Sequence, residues 1–277
     1  MSTTDHVGAP AAPRRTLDIS GTARVPFGRL VSVEWRKMLD TRGGFWLMLI
    51  TGLLLALTIG LVLLVVALDE NASISANDIS QILIIPLSLL LPVFPILAVT
   101  SEWSQRTGLV TFSLEPHRLR VLLAKLCAVI LFAVATIAFA VVLGAITNPV
   151  GAALGGYDVR WDLDVSTLAL TVVSQLVYFL MAFGLAMLLL SSPTAIAVFY
   201  VVAIMLPFMV YSILYGFFEW ARDLIPWIDL SFAFMPFLET SNDLVGVDWA
   251  RLVVAVTIWV VLPTVLGIRR VLASEPK

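Results

Sequence analysis

Two short segments hold most of the side chains able to do chemistry in this chain. In FGRLVSVEWRKMLDTR, Phe27 to Arg42, Glu34 stands among Arg29, Arg36, Lys37 and Arg42; in SEWSQRTGLVTFSLEPHRLRVLLAKL, Ser101 to Leu126, Glu102 precedes Arg106, Arg118, Arg120 and Lys125. The chemistry on offer is ion pairing. An acid at Glu34 works against attraction to anionic headgroups and points to a protein partner, and Glu102 can pair with a basic group across an interface. Catalytic sets are missing. The only histidines are His6 and His117, too few for a histidine metal site or a Ser-His-Asp arrangement within the apolar segments, so no catalytic and no metal residues are assigned. None of the three lysines completes the phosphate-binding pattern GxxxxGK[ST], so the chain is not expected to hydrolyse ATP alone. Cys127, the single cysteine, excludes an intrachain disulfide and reads as a packing residue.

The elements that position these groups are set by hydropathy. With 60% hydrophobic and 13% charged residues, and a mean hydropathy of +1.00, the chain has more apolar surface than a soluble domain could bury. Lipid must solvate it. The first run, Phe45–Leu68, has no ionisable residue and spans about 36 Å as a helix at ~1.5 Å per residue, against a hydrocarbon core of ~30 Å. Further spans fall at Ile79–Thr100, Val121–Ile146, Thr167–Leu190, Thr194–Phe218 and Ala250–Ile268. No Asp or Glu sits inside them, which argues against a carboxylate dyad or a proton relay.

Of the 17 basic residues, 14 fall before the first span, between the second and third, or after the sixth; the other connections hold Arg160, Arg222 and Arg251 and a dozen acids. Basic connections stay in the cytoplasm, so both termini are expected there, in a bacterial plasma membrane. The expected organisation is a disordered tail over 1–24 without secretory-signal character, a six-span domain over 25–270, and a tail over 271–277.

Within that domain, residues 27–42 read as an amphipathic interfacial helix. Phe27, Leu30, Val31, Trp35, Met38 and Leu39 share its apolar face, and Gly43 and Gly44 allow a turn into the first span. Ser101 is read as the cap of a short cytoplasmic helix with Glu102 in its first turn, and Pro116 as its limit. Ser191 to Thr194 make a tight hairpin, with Pro193 opening the next helix. The stretch LIPWIDLSFAFMPFLE reads as two short helices dipping into the outer leaflet, or as an amphipathic loop lying on the membrane. Prolines 86, 92, 95 and 207 are places for bends. The polar residues of the spans, among them Gln81, Ser174 and Gln175, are read first as interhelical hydrogen bonders; as the lining of a weakly polar cavity, the candidates are Thr51, Tyr178, Tyr211 and Phe234.

On VEWRKMLDTRGGFW and on SEWSQRTGLVTFSLEPHRLRVLLAKL, together with six spans and an outer apolar segment before the last, the chain resembles the permease subunits of ABC exporters of the second permease superfamily, the type V exporters, over about residues 27 to 270. The resemblance implies an all-α permease with a connecting helix carrying Glu34, Trp35, Lys37 and Arg42, and a coupling helix carrying Glu102, Trp103, Arg106 and Thr107. It also implies two separately encoded ATPase subunits that bind ATP and magnesium, with no cofactor on this chain. A second permease copy or paralogue and membrane lipids complete the partners; nucleic acid is not among them. The family exports drugs, lipids, glycans and peptides. The competing readings are a membrane interaction, sensor or immunity protein without a transport cycle, and a membrane enzyme.

Overall fold

The computed structural model describes residues 25–69, 72–104, 118–238 and 244–273. The tail over 1–24, Arg106, Thr107, Pro116 and residues 274–277 lie outside them. Among the described residues all regular structure is helical, with no strand. Six helical stretches are long and apolar enough to cross a membrane: Arg42–Leu68, Ala76–Trp103, Leu119–Gly155, Val165–Leu189, Ser192–Phe217 and Gly246–Ala273. The protein is therefore an all-α, multi-pass membrane protein. The ends of the spans that adjoin the Lys- and Arg-rich connections of the sequence and those that adjoin its acid-rich connections are called here the basic and acidic ends.

Helix α1, Phe27–Asp40, meets α2, Arg42–Leu68, at a single extended residue, Thr41, with φ −77° and ψ 145°. Thr41 caps α2 by accepting from the Gly44 amide at 3.1 Å. The expected turn at Gly43 and Gly44 is thus displaced by two residues, and both glycines are helical. Gly44 serves close approach instead: a β-carbon there would lie 1.8 Å from the Met38 carbonyl oxygen. The first span consequently begins at Arg42, three residues ahead of the apolar run.

The second span is two helices, α3, Ala76–Leu90, and α4, Val93–Ser104. Ser75 and Asp78 form a reciprocal capping box at its acidic end. The interruption falls at Leu91–Pro92, where Pro92 and Pro95 remove two amide donors from the ladder. The third span, α5, Arg118–Gly155, runs nine residues past Ile146. Thr147 keeps its hydroxyl on the Leu143 carbonyl, and Asn148 donates to the Arg160 carbonyl at 3.0 Å, so the polar residues that end the apolar pattern do not end the helix. Gly156, at φ +68°, ends it.

The fourth span, α6, Val165–Leu189, has the largest buried share and is the axis of the bundle. It packs most extensively on the sixth, and the approach is nearly backbone to backbone. A β-carbon on Gly184 would lie 2.6 Å from the Thr264 hydroxyl, and one on Gly267 would lie 2.6 Å from the Met187 β-carbon. Leu190, at φ +53°, turns the chain into α7, Ser192–Tyr200, with Pro193 in its first turn. The fifth span continues through a π-helical stretch, Val201–Tyr211, and α8, Ser212–Phe217. Wider turns here accommodate Pro207, whose own carbonyl is taken by the Ser212 hydroxyl at 2.7 Å.

At the acidic end lie α9, Glu219–Ile228, and α10, Leu230–Leu238. They are two short helices, as expected, but the break is Asp229; Pro226 and Pro236 lie within the helices. The sixth span is α11, Gly246–Val256, a π-helical turn, Thr257–Val261, and α12, Leu262–Ala273.

Candidate functional site

Four charged side chains from three elements close a ring at the basic end. Lys37 Nζ donates to Glu34 Oε1 at 2.7 Å and to Glu102 Oε1 at 3.1 Å; Lys125 Nζ donates to Glu34 Oε2 at 2.5 Å and to Glu102 Oε1 at 2.9 Å. Acid and base alternate around it, and two of each balance the charge. Burial sets the stakes. The side chain of Lys125 is 3% exposed and those of Glu34 and Glu102 8% and 10%, whereas Lys37, at 41%, reaches solvent. Charges this buried stay charged only if their partners are held in place.

Local structure supplies that holding. Glu34 and Lys37 stand one turn apart on α1, where residues three positions apart are neighbours. The apolar face of α1 packs mainly on the third span, with Met38 buried and the Trp35 ring edge-on to Phe132 at 5.8 Å. This docking carries the Glu34 carboxylate to Lys125, 91 positions away in the chain. Glu34 thus meets a counter-charge from a distant part of its own chain. Glu102 differs from its expected place. The helix of the second span runs through Ser101 to Ser104, so Ser101 is no cap and Glu102 lies in a last turn, where the helix dipole disfavours an acid. No helix-breaking residue separates Thr100 from Glu102, and the Thr100 hydroxyl bonds back to the Ile96 carbonyl. The two lysines offset the dipole. At Lys37, burial alone would lower the ammonium pKa, but the hydrogen bond and charge of Glu34, with Glu102 adding, outweigh it and raise it above its ordinary 10.5.

Of the other residues expected in this region, Trp103 is half-buried against the core and Arg42 is exposed, outside the ring. Arg106 and Thr107 lie beyond the described residues. Lys125 is the member that sequence reading counted only as a basic marker and as part of the family likeness. The signal was there: a lysine within VLLAKLCAV, eight residues into a span, has no place to leave its charge unless something meets it.

The four cavity candidates do not converge. Thr51 is buried with its hydroxyl on the Leu47 carbonyl of its own helix, Tyr178 shares a hydrogen bond of 2.8 Å with Ser231 of α10, Tyr211 is half-buried, and Phe234 sits in the core. Two cavities lie elsewhere, toward the acidic end. One, of about 350 Å³, is a half-open cavity lined by Asn77 and Gln81 of α3 and by Thr167, Thr171, Ser174 and Gln175 of α6. The other, of about 480 Å³, is an apolar groove between the π-helical stretch of the fifth span and α10, lined by Ile204, Phe208, Phe232 and Met235. Leu238 borders both.

The helices beside the groove are tied to the spans. Asp229 caps α10 by accepting from the Ser231 and Phe232 amides at 2.9 and 3.1 Å, and Trp259 of the sixth span donates to the Ile228 carbonyl at 2.6 Å. Burial raises the Asp229 carboxyl pKa, against the opposing pull of those amides. No protein-family model and no curated protein matches the chain.

Proposed function

We propose that this chain is the transmembrane permease subunit of an ATP-driven ABC exporter in a bacterial plasma membrane, with its basic end in the cytoplasm and ATP hydrolysed on a separate subunit. The carrying observation is the ion ring. It welds an amphipathic helix to the facing ends of the second and third spans, at the root of the connection over 105–117. A partner that pushes on that connection pushes on three elements at once, because desolvated ion pairs resist separation more than sliding apolar faces do. In this reading α1 lies in the headgroup layer, α9 and α10 enter the outer leaflet, and the exposed first span, with Leu53, Leu57, Leu61 and Leu64 outward, meets a second permease. The cargo is an amphipathic or apolar drug, lipid or peptide.

The test is isolation of the tagged full chain from its native membranes in mild detergent, with mass spectrometry of what accompanies it. A stoichiometric protein carrying a phosphate-binding loop is expected. Recovery of the chain as a single species without an ATP-binding subunit, across several detergents, would favour the membrane sensor or immunity reading and sink the exporter.

A further inference from the structure

We infer that the polar cavity between the second and fourth spans holds the uncharged, hydrogen-bonding head group of an amphiphile whose apolar chain lies in the groove along α10. The first observation is unspent hydrogen-bonding capacity. Among the described residues, Gln175 Oε1, Gln81 Nε2 and Asn77 Oδ1 are buried atoms without a partner, and Gln175 as a whole is 7% exposed. They come from two helices and line one cavity. Thr171 and Ser174 donate to carbonyls of their own helix at 2.7 and 2.8 Å, which leaves each hydroxyl oxygen free to accept. Carboxamides buried without a partner weaken a fold unless something that both donates and accepts meets them.

Charge decides what that something is. Among the described residues no ionisable side chain lines the cavity, so there an anion would find no cation and a metal ion no carboxylate. Its volume of about 350 Å³ is far more than one ion fills. Depth decides further. Gln175 stands eleven residues into α6, so the cavity descends about 15 Å, roughly half the hydrocarbon thickness. A phosphodiester taken to that depth would lose its hydration with no compensating charge, and ordinary phospholipids are thereby disfavoured. Hydroxyl and amide groups have no such penalty once they bond to Gln81, Gln175 and Asn77. The second observation is adjacency: Leu238 borders both the cavity and the apolar groove, which puts Phe208, Phe232 and Met235 within the reach of the chain of a molecule whose head lies among the carboxamides. This names the head-group class of the proposed cargo, but binding needs no transport cycle, so the site is tested apart from the exporter reading.

The experiment uses the full chain in nanodiscs of phosphatidylcholine and phosphatidylglycerol. A decyl glucoside with a diazirine at the chain terminus is photolysed and the adducts are mapped; decyl probes with trimethylammonium and with carboxylate heads serve as comparison. The glucoside should label the groove segments over 203–212 and 231–238, and unlabelled decyl glucoside should compete. Gln175→Leu and Thr171→Val should each cut that labelling roughly tenfold, the equivalent of one hydrogen bond at about 1.4 kcal/mol. Gln175→Leu removes an unpaired buried amide, so it should fold at least as well as the parent, and Thr171→Val gives an independent reading. Equal labelling of the groove by all three head groups, or labelling unchanged in both variants, would mean that the cavity holds only water and would overturn the inference. An ATPase that fails to co-purify would leave this result untouched.

Discussion

Replacing Lys125 should destabilise the protein several times more than replacing Lys37, although both lysines bond the same two carboxylates. Lys125→Ala takes the one fully buried ammonium of the ring away from Glu34 and Glu102, both about nine-tenths buried, and leaves the half-exposed Lys37 of the ring between them. Removing one partner from a buried charge set costs about 3–5 kcal/mol, because the remaining charge keeps its desolvation penalty. Lys37→Ala leaves Lys125 in place, and the lost interactions are partly screened through the 41% exposed ammonium, which brings the cost to about 0.5–1 kcal/mol. Unfolding by SDS in bicelles, followed by tryptophan fluorescence, reads both. At ~1 M salt, where the Debye length shrinks to about 3 Å, the Lys37→Ala deficit should dwindle and that of Lys125→Ala should persist. Equal deficits, or a Lys125→Ala variant within about 1 kcal/mol of the parent, would refute the buried ring. Replacing all four members by Leu or Met should restore stability, since the desolvation cost of the buried ring then goes with its charges.

Three further outcomes are expected. Gly267→Leu, and separately Gly184→Leu, should push the fourth and sixth spans apart and cost about 2 kcal/mol or more in the same unfolding assay, given β-carbon approaches of 2.6 Å in each case; unchanged stability would contradict the close packing. In a Cys127→Ala background, cysteines at Asp158 and Glu219 should react with an impermeant maleimide in whole cells and one at Gln105 should not; labelling at Gln105 would overturn the orientation. Because partnership raises the Lys37 pKa above 10.5, its contribution is fully present below that value and is lost only as pH rises through the higher folded value, so the Lys37→Ala deficit should be flat between about pH 6 and 9. A deficit that vanishes within this window would contradict the assignment.

The crossings were legible because hydropathy needs no knowledge of neighbours, and all six expected runs fall on the six membrane-length helices. Element ends were less so. The third span is expected to end at Ile146, yet the helix continues, with the Thr147 hydroxyl on the Leu143 carbonyl and the Asn148 amide on the Arg160 carbonyl, a tertiary contact that composition does not carry. Glu34 and Glu102 were singled out for their unusual company, but the ring needed the positions of α1 and Lys125, separated from Glu34 by 91 residues. Glu102 also went to the wrong end of its helix, since Ser101 has a capper's side chain and nothing local reveals that the preceding span has not stopped. The cavity shows the same limit from the other side. Gln81, Ser174 and Gln175 were noted as interhelical bonders; Ser174 bonds its own helix, while Gln81 Nε2 and Gln175 Oε1 have no partner among the described residues. Whether a carboxamide finds a partner depends on which face meets which helix.

The most direct test of the exporter account is ATP turnover by the purified complex in lipid nanodiscs, comparing the parent permease with the fourfold variant Glu34→Leu, Lys37→Met, Glu102→Leu, Lys125→Met. The variant should assemble with the ATPase and unfold no more easily than the parent, yet its turnover should fall to that of the ATPase alone and lose its response to added amphiphile. Turnover and amphiphile response equal to those of the parent would show that the ring only holds the fold together, and would contradict its role in coupling.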